Sequence, residues 1–358
     1  MYDKLVSLEN IFISWKEFKN GKQSKPDVQL FERFLEDNIF ALQKELQDYT
    51  YCHGKYRTFF IQDPKPRMIS KAIVKDRLVH HLVFRELYAV FNSSFIFHSY
   101  SSREKKGSHA AVKNLSKCLR KTSENYNHPV YILKCDVRKF FQSMNHKKLL
   151  ELIECKIFDK NFLWLIEEII GSFSSAPLST LQFTENPWGG GDLKGGKNEK
   201  IGLPIGNITS QIFANIYLNE LDWFIKGKLK VKNYFRYADD FVIVHPNKRY
   251  LLDTLEEIKI FLKTELSLQL HPKKVSIGKF HRGVDFLGYA LFPHYSVLRT
   301  KTKKRMFKKI SLKQKMCREG LVFKKSLNQS VQSYLGVLKH CEGYGIKKEL
   351  GELIRRKI

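Results

Sequence analysis

The chain lacks paired cysteines. Its six, Cys52, Cys118, Cys135, Cys155, Cys317 and Cys341, are scattered, and none forms a Cys-x-x-Cys pair. That spacing argues against a zinc site and leaves a disulfide framework unsupported, so a reducing cytosol is the simple expectation. No run of about 18 apolar residues occurs, so the sequence offers no membrane span. No charged-then-apolar leader follows Met1-Tyr-Asp-Lys, so no secretory signal is read. Internal repeats are missing as well. Acidic residues are scarce: 36 Asp and Glu stand against 63 Lys and Arg, a formal net charge of +27. A field of that size attracts polyanions. Nucleic acid is the usual partner, and a membrane surface is the weaker reading. The 43% hydrophobic content fits a folded chain, and 358 residues allow two or three packed subdomains.

Periodicity then places the elements. Residues 1–50 read as helical, with Phe31, Phe34, Leu35, Ile39, Leu42 and Leu46 at helical spacing and a polar break from Lys19 to Pro26. Phe59 to Ser70 reads as two short strands around a Pro-rich turn, and Asp76 to Tyr88 as a helix. Ser99 to Ala110 is a basic, Gly-containing loop before a helix from about Ala110 to Lys121. One helical segment is expected over His146 to Ile170. Gly171 to Lys200, with Trp188-Gly-Gly-Gly191, reads as a surface insertion. A helix follows Gly202-Leu-Pro-Ile-Gly206, and another runs from Leu251 to Leu266. His271-Pro-Lys-Lys274 turns the chain, and Val284 to Tyr289 reads as a strand with a Gly bend. Arg299 to Lys325 holds twelve Lys or Arg and one Glu, and the remainder is helical.

Against this background, three aspartates carry the chemistry. Tyr234-Phe-Arg-Tyr-Ala-Asp-Asp-Phe-Val-Ile-Val244 reads as two short strands with a tight turn at Ala238, Asp239 and Asp240. Such a turn pushes two carboxylates to a hairpin tip. Adjacent like charges need a counter-charge, and hard divalent cations prefer carboxylate oxygens. Asp is also common in plain turns. Val130-Tyr-Ile-Leu-Lys-Cys-Asp136 is an apolar strand ending in a third Asp, which taken alone also fits a helix N-cap. A strand delivering one Asp beside a hairpin delivering two builds a two-metal site, able to activate a 3′-hydroxyl and stabilise departing pyrophosphate. In that company, the basic run with its interleaved Met306, Phe307, Ile310 and Leu312 reads as a phosphate clamp through Arg299, Lys301, Lys303, Lys304, Arg305, Lys308 and Lys309.

These blocks resemble a reverse transcriptase. Asp136-Val-Arg-Lys-Phe-Phe141 is similar to the first palm motif, Tyr237-Ala-Asp-Asp240 to the Tyr-x-Asp-Asp motif, and Phe286-Leu-Gly-Tyr289 to the primer grip. Their order and spacing match over roughly residues 55 to 345. Where most such enzymes carry Gln-Gly-x-x-x-Ser-Pro, this chain has Ile205-Gly-Asn-Ile-Thr-Ser210-Gln211. That substitution, with Phe213-Ala-Asn-Ile-Tyr-Leu-Asn219, Ser99-Tyr-Ser-Ser-Arg103 and Lys106-Gly-Ser-His-Ala110, resembles the reverse transcriptases of diversity-generating retroelements. Ser101-Ser102 departs from the residues related bacterial enzymes carry there.

The resemblance implies an α+β right-hand polymerase. Residues 1–125 would be N-terminal helices and fingers, 126–295 a palm with an antiparallel sheet backed by helices, and 296–358 a basic helical thumb. It implies an RNA-directed DNA polymerase using two Mg²⁺ ions, with Mn²⁺ able to substitute, held by Asp136, Asp239, Asp240 and the carbonyl of Val137. Lys65, Arg67 and Arg103 are the candidates for gripping phosphates. Phe141 stands where the family has an aromatic gate against a ribose 2′-OH. Ile205 and Gln211 flank the pocket, and Gly206 lets backbone approach the templating base without a Cβ. Lys273 or Lys274 is the candidate acid for pyrophosphate. The implied partners are template RNA, cDNA, deoxynucleoside triphosphates and a small basic ring-forming accessory protein. The implied setting is the cytoplasm of a bacterium or archaeon, or a phage-encoded enzyme. Errors concentrated at template adenines are implied too. So is a short enzyme ending about here, without RNase H, protease or endonuclease domains. Alternatives are a retron, intron-derived or abortive-infection reverse transcriptase, and a catalytically silent RNA-binding scaffold.

Overall fold

A computed structural model describes residues 1–62, 66–175 and 200–355. Lys65 and most of the expected Gly/Ser-rich insertion therefore lie outside the described residues. The N-terminal part is helical, as its periodicity requires: α1 (Tyr2–Leu5), α2 (Leu8–Lys19), α3 (Pro26–Arg33) and α4 (Leu35–Gln47). Ser7 caps α2 by accepting from Asn10 N, and Pro26 opens α3 at a position where its missing N–H costs nothing. A two-stranded hairpin, β1 (Arg57–Ile61) and β2 (Arg67–Lys71), leads into α5 (Val74–Phe91) and α6 (Ser108–Thr122).

The central sheet begins with β3 (Tyr131–Asp136). It is followed by α7 (Phe140–Ser143), α8 (His146–Glu154), α9 (Lys160–Gly171) and α10 (Ile208–Trp223). The single helix expected over 146–170 is thus two. Asp159 ends the run because its carboxylate accepts from Asn161 N and Phe162 N, starting a new helix there. The hairpin β4 (Tyr234–Tyr237) and β5 (Asp240–His245), then α11 (Lys248–Glu265) and β6 (Ser276–Lys279), complete this part. Strand order is β4-β5-β3-β6, with every neighbouring pair antiparallel.

Side-chain alternation splits the core in two. Leu133, Cys135, Phe241 and Ile243 face a cluster built with α5, α8, α9, α10 and α11. Ile132, Val242 and Val244 face the other cluster, which takes in Val112, Leu115 and Leu119 of α6. That second cluster continues into a small sheet of β7 (Val284–Phe286), β8 (Tyr289–Leu291) and β9 (Ser296–Leu298). The strand expected over 284–289 is therefore a hairpin. Leu287 (φ +48°) and Gly288 (φ +90°) form its two-residue turn, because two consecutive left-handed residues reverse a chain tightly. Three helices close the chain: α12 (Thr300–Arg318), α13 (Lys324–Leu338) and α14 (Tyr344–Arg355). Met306, Ile310, Leu327, Leu338 and Leu350 pack them onto the small sheet. The expectation of an α+β fold with antiparallel sheet backed by helices is met. Among the described residues no helix is long and apolar enough to cross a membrane.

Candidate active site

The ends of β3 and β5 bring the aspartates together. In the register of the two strands Asp136 lies directly opposite Asp240, so both carboxylates leave the same face of the sheet. Lys134, two residues before Asp136, shares that face, and its ammonium stands 3.7 Å from Asp240. Asp239 occupies the β4–β5 turn with Ala238, whose φ is +52°. Only Asp239 sits in the turn. Asp240 already begins β5 and is half-buried, so the hairpin does not thrust both carboxylates into solvent. The turn is tied to β3 by Val137 N, which donates to the Asp239 carbonyl at 3.1 Å. On the other side His271 N donates to the Asp136 carbonyl at 2.7 Å.

The electrostatics are those of crowded acids. Burial, reinforced by Asp136, raises the Asp239 carboxyl above the ordinary range, with Lys274 and Arg67 pulling the other way. Asp240 is pushed up to about 6 by burial and by its two neighbours, against the pull of Lys134. Its Oδ1 is buried without a hydrogen-bond partner. Lys274 Nζ donates to both oxygens of Asp136, at 2.7 and 2.8 Å. An orphaned carboxylate oxygen, two acids reluctant to ionise, and one acid already holding a cation together fit a site for positive charge. Hard carboxylate donors suit Mg²⁺ or Mn²⁺. Among the described residues no three His, Cys, Asp or Glu side chains form a ready-made metal cage.

Other sequence candidates are sorted by their contacts. Arg67 opens β2, is exposed, and lies near enough to act on Asp239. Arg103 is committed to its own loop: Nε donates to Asn92 Oδ1, Nη1 to the carbonyls of Ile96 and Ser99, and Nη2 to that of Asn92. It is a loop brace, with little donor capacity left for phosphate. Phe141 is half-buried and packs edge-on against Phe140 at 5.3 Å, and its carbonyl accepts from Leu203 N. Gly206 (φ +124°) is needed for close approach, but to the β1–β2 hairpin: an added Cβ would meet Ile69 Cγ2 at 2.8 Å. Ser70 N donates to the Ile205 carbonyl and Asn207 Nδ2 to that of Ser70, so β2 is docked on this loop. Gln211 is exposed and accepts from Ser102. Lys273 is exposed, and its N–H donates to His271 Nδ1.

Phe286 and Tyr289 are buried, while Leu287 and Gly288 turn between them. The Lys134 ammonium donates to the Asp285 carbonyl at 2.7 Å, joining this hairpin to β3. Arg299, first of the basic run, pairs with Asp285 at 2.8 Å. Lys301, Lys304, Arg305, Lys308 and Lys309 recur at helical spacing and share the exposed face of α12, opposite buried Met306, Ile310 and Gln314. Lys303 is turned aside to Glu349. The sequence reading missed Arg236 and Asp222, a wholly buried ion pair behind the aspartate turn. The available signal was a lone Arg at an inward position of a strand otherwise reading Tyr-Phe-x-Tyr.

A family model described as reverse transcriptase (RNA-dependent DNA polymerase) matches residues 61–291, more than half the chain, and spans all three aspartates. Protein YkfC of Escherichia coli (strain K12) is 22% identical over 63% of this chain and 63% of its own length. The group II intron-encoded protein LtrA of Lactococcus lactis subsp. cremoris is 24% identical, covering 84% of this chain and 54% of that protein. The chain thus spans between half and two-thirds of the length of these relatives. Among solved structures, apo telomerase from Candida tropicalis, truncated from its C-terminal domain, is 13% identical. It covers 72% of this chain and 59% of that one, with a TM-score of 0.48.

Proposed function

The chain belongs to the reverse transcriptase family, and on this premise we propose that it is an RNA-directed DNA polymerase that makes cDNA for a diversity-generating retroelement, with errors concentrated at template adenines. The observation that carries the polymerase site is the direct opposition of Asp136 and Asp240 across β3 and β5, with Asp239 in the adjoining turn. Asp136, Asp239, Asp240 and the Val137 carbonyl would hold two Mg²⁺ ions. Bound there, the ions supply positive charge that favours an ionised 3′-hydroxyl and screens the triphosphate.

The chain's own residues do the rest. Arg67, exposed at the start of β2, grips triphosphate oxygens. Phe141 walls the sugar side and excludes a 2′-hydroxyl. Lys274, within a hydrogen bond of Asp136, passes a proton to leaving pyrophosphate. Residues 1–125 serve as fingers, 126–295 as palm and 296–358 as thumb. The hairpin turn at Leu287 and Gly288 steadies the primer end, and the exposed basic face of α12 follows the duplex backbone.

The retroelement reading rests on Ile205 and Gln211. Ile205 offers no side-chain hydrogen bond where a Gln would, and a pocket with fewer polar constraints rejects wrong pairs less strongly. A small basic ring-forming accessory protein is part of this proposal. An intron-derived reverse transcriptase is the second reading; the likeness to LtrA, 24% identical over 84% of the chain, supports the family and does not favour this subtype. Sequencing cDNA copied from a defined RNA separates the two. Errors rising at template adenines, and falling in Ile205→Gln, are expected. Uniformly low error at all four bases would remove the retroelement reading and leave an ordinary bacterial reverse transcriptase.

A further inference from the structure

Arg236 lies in β4, just before the aspartate turn, and is wholly buried. A guanidinium is a rigid fork of N–H donors that keeps its charge inside a protein. Every donor in this one meets an acceptor. Nε donates to Asp222 Oδ1 at 2.7 Å. Nη2 donates to Asp222 Oδ2 at 2.6 Å and to Ser99 Oγ at 3.1 Å. Nη1 donates to Asn215 Oδ1 at 3.3 Å and to the carbonyl of Ala238 at 3.2 Å. Asp222, also wholly buried, accepts in addition from the Tyr234 hydroxyl at 2.7 Å. Asn215 in turn donates to the Ser101 carbonyl at 2.9 Å. One side chain thus ties together α10, the loop at 99–101 and the turn that presents Asp239.

The bond to Ala238 is the informative one. Ala238 sits in the left-handed region, which an alanine seldom adopts unless its surroundings hold it there. Its carbonyl belongs to the same rigid peptide plane as the Asp239 N–H. Arg236 therefore fixes the plane entering Asp239, and Val137 N fixes the plane leaving it. Stability alone is a weak reason for such a pair, since well-packed apolar residues often serve a core as well as a buried salt bridge.

We propose that Arg236, held by Asp222, is a positioning residue: it locks Ala238 in its left-handed turn and so sets the direction in which Asp239 presents its carboxylate to the divalent ions. The proposal rests on the assignment of Asp239 as a metal-binding residue. Arg236→Lys keeps a buried charge opposite Asp222 but loses the fork. The double variant Arg236→Met with Asp222→Leu removes both charges together, leaving neither unpaired.

The test uses the full-length protein, with Mn²⁺ as the probe. Mn²⁺ binding is measured by electron paramagnetic resonance, primer extension by kcat and KM, and folding by thermal unfolding. Both variants are expected to stay folded at the assay temperature. Mn²⁺ affinity and kcat should each fall about 10- to 100-fold, the usual effect of removing a group that orients a metal ligand. Affinity for template–primer should hold. Wild-type-like Mn²⁺ affinity in whichever variant folds overturns the proposal. Asp239→Ala serves as the control. If that variant itself binds Mn²⁺ and extends primer normally, the site assignment has failed. If it is inactive while the folded Arg236 variants behave as wild type, only the positioning role has failed.

Discussion

Asp240 keeps a buried oxygen with no hydrogen-bond partner, and an unmet acceptor of this kind costs about 1–3 kcal/mol. Residues that crowd acids together destabilise the chain for the sake of a site, and the offset must come from elsewhere. His80 shows the same tension away from the aspartates. Its ring is buried between His53 and Thr209, and burial, with a smaller contribution from neighbouring His53, lowers its pKa to about 3. The unfolded chain takes up this proton near pH 6.5, whereas the folded chain resists it down to about 3. Stability should therefore fall as pH drops through that window, by up to about 1.4 kcal/mol per pH unit from this group. Urea unfolding of His80→Gln at pH 7, 5 and 4 is expected to show a correspondingly flatter slope. An unchanged slope would assign the acid sensitivity to other groups. Phe141 offers a functional test on the same scale. It packs against Phe140 and is only half-buried, so part of its ring remains accessible. Phe141→Ala should raise ribonucleotide incorporation relative to deoxynucleotide in steady-state assays, and unchanged discrimination would mark it as a packing residue.

At the scale of elements, α12 divides its surface sharply. Met306, Ile310 and Gln314 are buried, and Lys301, Lys304 and Lys308 stand exposed on the far side. Replacing those three with Gln leaves the buried face intact. Template–primer affinity should weaken, and its log–log salt dependence should flatten by roughly 0.7–0.9 for each phosphate no longer neutralised. A preserved salt slope would mean that the face is merely solvated. The basic stripe, β3 and the β4–β5 hairpin were legible in the sequence from a charge run, an apolar run and a tight turn, and α5 and α10 from long apolar stretches buried on most sides. Other elements carried weaker signals. β6 is a short edge strand with mostly polar or Gly residues, and β9 is shorter still. The break between α8 and α9 depended on one Asp cap in a stretch of mixed polar and apolar residues. The site was legible as far as its carboxylates, whose motif is local in sequence. Long-range contacts were not. The Arg236–Asp222 pair, the bracing of the 99–103 loop by Arg103, and the docking of Ile69 on Gly206 all join residues that periodicity does not relate.

The whole molecule is organised around one four-stranded sheet with an apolar cluster on each face. The N-terminal helices share a cluster with one face, and the small sheet and basic C-terminal helices share a cluster with the other. The aspartates therefore stand at the end of a rigid platform, next to the β1–β2 hairpin docked through Ser70 and Ile205. A net charge of +27 surrounds this acidic spot, a field that attracts polyanions. The most direct test of this account is extension of a DNA primer on an RNA template by the wild-type chain, Asp136→Ala and Asp239→Ala, with Mg²⁺ titrated and RNA binding measured in parallel. The wild type should extend only with the divalent ion. Each variant should lose about 10²- to 10³-fold or more in rate while binding RNA as before. Extension at wild-type rates by either variant would contradict the account.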